Sequence, residues 1–249
     1  MKIGSLFSGI GGLELGLERA GVGHTVWQVE RDPFCRQVLA RHWPDATRYE
    51  DVTTVDWSTV EPVEVMCGGF PCQPFSTAGT MRGVFDERWG WPWFADAIRV
   101  LRPRFVVMEN VATLVGDQLA FGTILADLHA LGFDAEWSVV RADAVGAPHR
   151  RPRLFLLAHA HIAEHGGRRR VPDEQTGRRH NDPMAHPHRC RTHVGGTSDA
   201  GAWASEPGVG RMADGPAARV DRHRLHALGN AVVPQVAEFV GRRVMELAA

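Results

Sequence analysis

Residues 68–76 read GGFPCQPFS and directly follow a short apolar run, Val63–Met66 with Cys67. The apolar run predicts the end of a buried strand, and the two glycines and two prolines then take the backbone out of regular structure. Cys72 is therefore expected on a loop at a strand end, which in an open α/β sheet is where ligands bind. Taken alone, this pattern leaves a reactive thiol and a small buried cysteine equally open.

The composition is that of a globular protein with one main domain and one small one. The chain has 249 residues, of which 44% are hydrophobic, and its net charge of -1 gives no indication of a nucleic-acid partner. The cysteines Cys35, Cys67, Cys72 and Cys190 form no CxxC pair, which favours a reducing compartment. The start of the chain shows no secretion signal, and no run approaches about 18 apolar residues. We expect a soluble, intracellular protein.

The first 21 residues predict a strand, a glycine-rich turn and a helix. Ile3–Phe7 is the strand, residues 8–12 (SGIGG) form the turn, and the helix runs to Ala20 and stops at Gly21. Such a turn lets backbone N–H groups approach a cofactor. The spacing is not GxGxxG, so a tight turn without a ligand stays open as the alternative.

The next two strand ends carry acidic residues. Val26–Val29 is a predicted strand ending in Glu30, which is placed to accept hydrogen bonds from the ribose of an adenosine cofactor or is a solvated charge. A helix is predicted over Pro33–His42. The segment Tyr49–Val52 then predicts a third strand edge, where Asp51 could meet an adenine amino group.

The middle of the chain alternates predicted helices and strands. Residues 76–90 have no sustained period and are long enough for a mobile lid, and Trp91–Leu101 is a packing helix. Phe105–Met108 is a strand buried on both faces, ended by Glu109-Asn110-Val111. A carboxylate directly after a buried strand requires a partner or a function.

Further on, a helix is expected at Ile124–Leu131, followed by strands at Trp137–Val140 and Leu154–Leu157. Arg150, Arg151 and Arg153 lead straight into the last of these strands. They are unlike a plain solvated face, although phosphate binding alone would explain them.

Taken in order, these motifs resemble those of the DNA cytosine C5-methyltransferases, in the compact form of bacteria and their phages. The matching residues are FSGIGG, Glu30, Asp51-Val52, GGFPCQPFS, Glu109-Asn110-Val111, Arg151-Pro152-Arg153 and the late GNAVVP at residues 229–234. The resemblance covers Ile3 to about Arg153 and Arg224 to about Val240. His149 departs from it, because the family usually carries glutamine there, and we expect little effect on the chemistry.

The resemblance implies a doubly wound, Rossmann-like methyltransferase sheet with a small, loop-rich target-recognition domain. It implies S-adenosylmethionine as cofactor and no metal. The catalytic residues implied are Cys72, Glu109, Arg151 and Arg153. The cofactor-binding residues implied are Phe7, Gly9, Gly11, Glu30, Asp51, Val52, Pro71, Asn230 and Val232.

The implied reaction is methyl transfer to C5 of a cytosine that is flipped out of duplex DNA. Cys72 is implied as the nucleophile that adds to C6, and Glu109 as the group that binds the N3 and amino edge. Arg153 is similar to the arginine that holds the base O2, and Arg151 is placed to support the loop or a phosphate. A tRNA substrate and a non-catalytic DNA-binding member of the fold are the alternatives.

The resemblance divides the chain into a catalytic and cofactor-binding domain (1–157), a target-recognition region (158–223) and a C-terminal segment returning to the catalytic domain (224–249). Between His159 and Arg224 there are 11 arginines and 8 histidines against 8 acidic residues, a basic balance that suits DNA. No ligand spacing supports zinc at the His and Cys190 cluster. We expect a monomeric, cytoplasmic enzyme that binds no membrane.

Overall fold

A computed structural model describes residues 1–71, 89–161 and 218–249, with side chains from residue 223 onward in the last range. Within these ranges seven strands form one sheet: β1 (Lys2–Leu6), β2 (His24–Val29), β3 (Thr47–Tyr49), β4 (Val65–Gly68), β5 (Phe105–Val111), β6 (Phe133–Val140) and β7 (Arg153–Ala160). The α-helices are α1 (Gly12–Arg19), α2 (Pro33–His42), α3 (Trp91–Leu101), α4 (Gln118–Ala130), α5 (Ala218–Asn230) and α6 (Pro234–Ala248).

The strand order is β3-β2-β1-β4-β5-β7-β6. All neighbours are parallel except β7, which runs antiparallel to both β5 and β6. The order reverses between β1 and β4, so the chain winds outward from the middle of the sheet in both directions. This confirms the predicted doubly wound α/β sheet, whereas the predicted recognition domain falls mostly on residues 162–217, outside the described ranges.

Both faces of the sheet are buried. On one face, α3 and α4 pack over Leu6, Met66 and Met108 through residues such as Phe94 and Ile124. On the other, α1 and α6 cover a second cluster that includes Ile3, Val65, Val107 and Phe155. Because the central strands are covered on both sides, they read as continuous apolar runs in the sequence.

The contact between α1 and α6 is close because glycines line it. A Cβ atom added at Gly16 would lie 2.3 Å from the Ala237 Cβ and 2.4 Å from the Pro234 carbonyl oxygen. A Cβ atom at Gly241 would lie 2.6 Å from the Ala20 Cβ. The C-terminal helix is thus held against the first helix of the chain at nearly backbone-to-backbone distance.

Helices α2 and α3 have the predicted bounds. In α2, Pro33 occupies the first turn and the Asp32 carboxylate accepts hydrogen bonds from the Phe34 and Cys35 N–H groups. The predicted start of α4 at Ile124 is wrong, because Asp117 accepts a hydrogen bond from the Ala120 N–H and begins the helix six residues earlier.

The prediction of a strand edge at Asp51-Val52 is also wrong. β3 ends at Tyr49, and the Asp51 Oδ1 accepts hydrogen bonds from both the Thr53 N–H and its hydroxyl group. These local bonds replace a strand ladder and start a 3₁₀ turn over Val52–Thr54.

The predicted lid, residues 76–90, lies almost entirely outside the described residues. Of the predicted lid, only Trp89 and Gly90 belong to the part of the chain that the structure describes. Across residues 1–71, 89–161 and 218–249, no helix has the length and apolar character needed to span a membrane.

Two glycine-to-alanine changes test the α1–α6 contact. We expect Gly16→Ala to lower the free energy of unfolding by about 2 kcal/mol, because the new methyl group meets the α6 backbone. Gly122→Ala is the matched control in α4, where a Cβ meets no atom within 4 Å; it should raise stability by about 1 kcal/mol. Urea unfolding of both variants measures this, and equal stabilities would contradict the close contact.

Candidate active site

The candidate site lies where the strand order reverses. Leu6 at the end of β1 pairs with Gly68 at the end of β4, so the loops that follow both strands leave the same edge side by side. β5 is the next strand along, with Met108 opposite Gly68. The glycine-rich loop, the loop toward Cys72 and Glu109 therefore share one crevice at the carboxyl ends of the strands.

The glycine-rich loop after β1 has a left-handed backbone at Phe7 (φ 54°), Gly9 (φ 56°) and Gly11 (φ 85°). Phe7 is the only one of the three with a side chain, and that conformation is uncommon for a bulky residue. Its ring is half-buried and lies beside Gly90, where an added Cβ would be 3.1 Å from the Phe7 Cζ. The loop is thus held with left-handed backbone angles at three positions, which an ordinary tight turn does not require.

Glu30 ties this loop to the next one. Its Oε2 accepts a hydrogen bond of 2.7 Å from the Gly9 N–H, and its Oε1 accepts one of 2.7 Å from the Asp32 N–H. Each carboxylate oxygen has a second lone pair that these bonds leave available. Glu30 therefore orders both loops, and its predicted bond to a ribose stays a prediction.

Asp51 and Val52 follow β3 at the same edge. The two Asp51 hydrogen bonds to Thr53 lower the pKa of its carboxyl group. Val52 is buried in the core and holds the turn that carries Asp51. A direct contact of either residue with a cofactor stays a prediction.

The residues before Cys72 are firmly anchored. Phe70 is buried against Trp89, Trp91 and Phe94, with ring centroids 5.3 to 6.5 Å apart. The Asn110 Nδ2 donates a hydrogen bond of 3.1 Å to the Phe70 carbonyl group. Pro71 then emerges exposed, while Cys72 itself lies outside the described residues, so its predicted role as nucleophile stays a prediction.

Glu109 is a buried carboxyl group with an arginine partner. It is 8% exposed, and its Oε1 lies 3.1 Å from the Arg153 Nε. Gly69 leaves it room, because an added Cβ there would be 2.8 Å from the Glu109 Oε2. Burial raises the pKa of Glu109 to about 7, while Arg153 and Arg151 lower it. Near neutral pH this group can therefore either donate or accept a proton.

Arg151 reaches a different part of the chain. Its Nη2 donates hydrogen bonds of 2.6 Å to the Gly229 carbonyl and 2.8 Å to the Ala231 carbonyl, which flank Asn230. Its backbone is left-handed (φ 34°), and burial together with nearby Arg153 lowers the pKa of the guanidinium. The structure thus gives Arg151 a structural contact, and a catalytic role for it stays a prediction.

The late motif meets the first helix here. Asn230 is exposed at the end of α5, with its Nδ2 3.2 Å from the His226 Nε2. The Val232 carbonyl oxygen lies directly over the start of α1, 2.2 Å from where a Cβ on Gly12 would be. Val232 also lines a small crevice with Arg151 and Arg153, which connects the late motif to the arginine segment.

Two buried residues, Asn110 and Glu14, were given no individual role by the sequence analysis. Asn110 was part of a matched motif, but its bond to Phe70 spans 40 residues and has no local signal. Glu14 is fully buried, and the available signal was a carboxylate beside Leu13 and Leu17 on the apolar stripe of α1. Among residues 1–71, 89–161 and 218–249, no cluster of three or more His, Cys, Asp or Glu residues is arranged to hold a metal ion.

Comparison with known proteins identifies related chains. Residues 1–189 match the family model of the C-5 cytosine-specific DNA methylases. The chain is 31% identical over 168 residues to the type II methyltransferase M.Bsp6I of Bacillus sp. strain RFL6, covering 65% of this chain and 53% of that protein. It is 34% identical over 166 residues to M.NaeI of Lentzea aerocolonigenes, covering 64% and 40%. The chain spans about half the length of these relatives.

Solved structures agree on the architecture. A DNA modification methyltransferase encoded within an Escherichia coli prophage superposes with a TM-score of 0.55 at 26% identity, covering 64% of this chain and 47% of that one. DNMT2 of Spodoptera frugiperda superposes with a TM-score of 0.52 at 22% identity, covering 69% and 55%, and shows the fold alone.

The buried Glu109 makes stability depend on pH. Between its ordinary pKa of 4.5 and its folded pKa of about 7, the folded protein retains a proton that the unfolded chain has lost, so stability falls as pH rises. Glu109→Gln removes this effect. The free energy of unfolding of Glu109→Gln relative to that of the wild type should therefore rise by about 3 kcal/mol as pH increases through this range, and then level off. Urea unfolding at a series of pH values measures it, with exposed Glu246→Gln as control; a constant difference would contradict the shift.

Arg151→Lys tests the contact with the late motif. The ammonium nitrogen of a lysine ends one bond short of the Arg151 Nη2 that makes both hydrogen bonds, so we expect a loss of about 2 kcal/mol in stability. Amide hydrogen exchange of residues 229–233 should accelerate more than that of β5. Arg150→Lys is the matched control, because Arg150 is exposed; equal effects of the two variants would argue against the contact.

Proposed function

This chain belongs to the C-5 cytosine-specific DNA methylase family, and on that premise we propose that it methylates C5 of cytosine in duplex DNA with S-adenosylmethionine as methyl donor. The observation that carries the proposal is the position of Glu109. A buried carboxyl group paired with Arg153 lies one strand from the loop that leads to Cys72, at the edge where the glycine-rich loop also lies.

The residues at the ends of β1, β2 and β3 fit an adenosine cofactor. The left-handed loop leaves open space at Gly9, where an added Cβ would meet no atom within 4 Å, and Glu30 keeps acceptor capacity after ordering that loop. When bound, S-adenosylmethionine supplies an electrophilic methyl group. We propose that it is held by Phe7, Gly9, Gly11, Glu30, Asp51, Val52, Pro71, Asn230 and Val232.

Cys72 is the proposed nucleophile. The raised thiol pKa values of the two described cysteines, Cys35 and Cys67, support this choice. Burial and the neighbouring Glu30 and Asp32 raise the pKa of the Cys35 thiol to about 12. Burial raises the pKa of the Cys67 thiol well above its ordinary value as well. Neither forms a thiolate near neutral pH, whereas a nucleophilic cysteine must. Cys190 lies outside the described residues.

The proposed chemistry uses three side chains. The Cys72 thiolate adds to C6 of the flipped cytosine, forming a C–S bond and raising the electron density at C5. Glu109 in its neutral form donates a hydrogen bond to N3 and limits the charge that builds on the ring, while Arg153 holds both Glu109 and the base O2. After C5 has accepted the methyl group, which leaves S-adenosylhomocysteine, a solvent water takes the C5 proton and the C–S bond breaks, returning the Cys72 thiolate.

Duplex DNA is the proposed substrate, and the basic segment between His159 and Arg224 is the proposed recognition region, within the division 1–157, 158–223 and 224–249. A monomer without a metal suffices for this chemistry. The cytoplasmic location stays a prediction.

The test measures transfer of a labelled methyl group from S-adenosylmethionine to duplex DNA and, in parallel, to transfer RNA. Bisulfite sequencing of the DNA then identifies the methylated cytosines. Methylation of one short sequence context in DNA alone is the expected result. Transfer to RNA alone, or to neither by protein that binds the cofactor, would overturn the proposed substrate or the proposed activity.

Cys72→Ser separates catalysis from binding. We expect it to abolish methyl transfer while cofactor binding, measured by calorimetry with S-adenosylhomocysteine, is retained. Glu109→Gln should slow transfer about a hundredfold or more. Cys35→Ser is the matched control and should remain active, because the Cys35 thiol is buried in α2 beside Asp32. Normal turnover by Cys72→Ser would remove Cys72 from the mechanism.

A further inference from the structure

A row of polar side chains lies buried between α1 and the sheet. Gln28, Ser5 and Cys67 are neighbours across β2, β1 and β4, and each is at most 1% exposed. Glu14 lies close to this row, on the face of the sheet that α1 covers, and is fully buried. No step of the proposed mechanism uses any of these groups.

This arrangement is costly for folding. Both carboxyl oxygens of Glu14 and both polar atoms of the Gln28 amide have no hydrogen-bond partner within the described part of the chain. Buried polar groups in native proteins are nearly always paired, and an unpaired one costs free energy. An apolar side chain on the Leu13–Leu17 stripe would avoid that cost, so packing does not account for a carboxyl group at position 14.

Ser8 connects Glu14 to the glycine-rich loop. The Ser8 hydroxyl donates a hydrogen bond of 2.9 Å to the Ser5 Oγ, and both hydroxyls lie close enough to Glu14 to lower its pKa. The Ser8 backbone is fixed at both ends, since its N–H donates to the Val29 carbonyl and its own carbonyl accepts from the Gly11 N–H. A displacement of the Ser8 side chain therefore strains the loop that contains Gly9.

The surroundings of Glu14 favour its neutral form. Burial is the largest effect and raises the pKa of Glu14 to about 7, and Glu18, one turn along α1, raises it further. The sheet offers no compensating positive charge, because Ser5, Gln28 and the Cys67 thiol are uncharged. On its other side α1 meets Ala237 of α6.

We propose that Glu14 is a positioning residue that keeps the glycine-rich loop in its cofactor-binding conformation only while its carboxyl group is neutral. The neutral acid leaves the Ser8–Ser5 hydrogen bond intact. The ionised carboxylate needs donors for both oxygens and draws both hydroxyls toward itself, which moves Ser8 and with it the loop. This rests on the proposed function, since it concerns the cofactor site of that activity.

Cofactor affinity should therefore decrease as pH rises through neutrality. The test is calorimetry of S-adenosylhomocysteine binding from about pH 6 to about pH 8.5, with wild-type affinity falling about fivefold or more. Glu14→Gln keeps the shape of the side chain but cannot ionise, so most of the pH dependence should disappear, leaving only the part due to Glu109, whose folded pKa is also about 7. Glu246→Gln, exposed on α6, is the matched control and should follow the wild type.

Ser8→Ala provides a second variant, because it removes the hydroxyl group through which Glu14 acts. It should also lose the pH dependence, whatever its affinity. A Glu14→Gln or Ser8→Ala protein that keeps the wild-type profile overturns the role of Glu14, and so does a wild-type affinity that is constant with pH. Wild-type protein that binds no S-adenosylhomocysteine at any pH overturns the proposed function itself.

Discussion

The contact between α1 and α6 is the constraint on which the arrangement of the site depends. Gly16 and Gly241 allow the two helices to meet closely, and this sets the position of the α5–α6 junction above the start of α1. Val232 then lies against Gly12, and Arg151 can reach the carbonyl groups on either side of Asn230. Residues more than two hundred positions after the glycine-rich loop in the sequence thus lie next to it in the fold.

Two buried carboxyl groups, Glu14 of α1 and Glu109 of β5, have folded pKa values near neutrality for the same reason and with different consequences. Burial dominates in both, but Glu109 has Arg153 at 3.1 Å, whereas Glu14 faces only uncharged neighbours and Glu18. Glu109 lies beside Gly69 at the carboxyl edge of the sheet, where the loops of the candidate site leave the strands. Glu14 is sealed beneath the loop, so its charge can act only through the shape of the protein.

Sequence reasoning succeeded where local signals were complete. Pro33 marked the start of α2, and the parallel strands were visible as apolar runs because both faces of the sheet are covered. It failed at Asp51, where side-chain bonds to Thr53 outweighed strand propensity, and at α4, where the Asp117 cap begins the helix six residues before the predicted start. The partners of Arg151 lie about 80 residues away, a distance at which no periodicity or spacing operates.

The reversal of β7 separates the two ends of the segment that follows it. Because β7 runs against its neighbours, Arg153 begins it at the edge of the site, and His161 leaves it at the opposite edge, paired with Asp134 and bonded to the Gly132 carbonyl. The chain is fixed again where Arg151 holds Gly229. Every strand of the described sheet precedes His161, so its registers involve no residue between these anchors. The strand pairing that positions the site is therefore complete before the chain enters this segment.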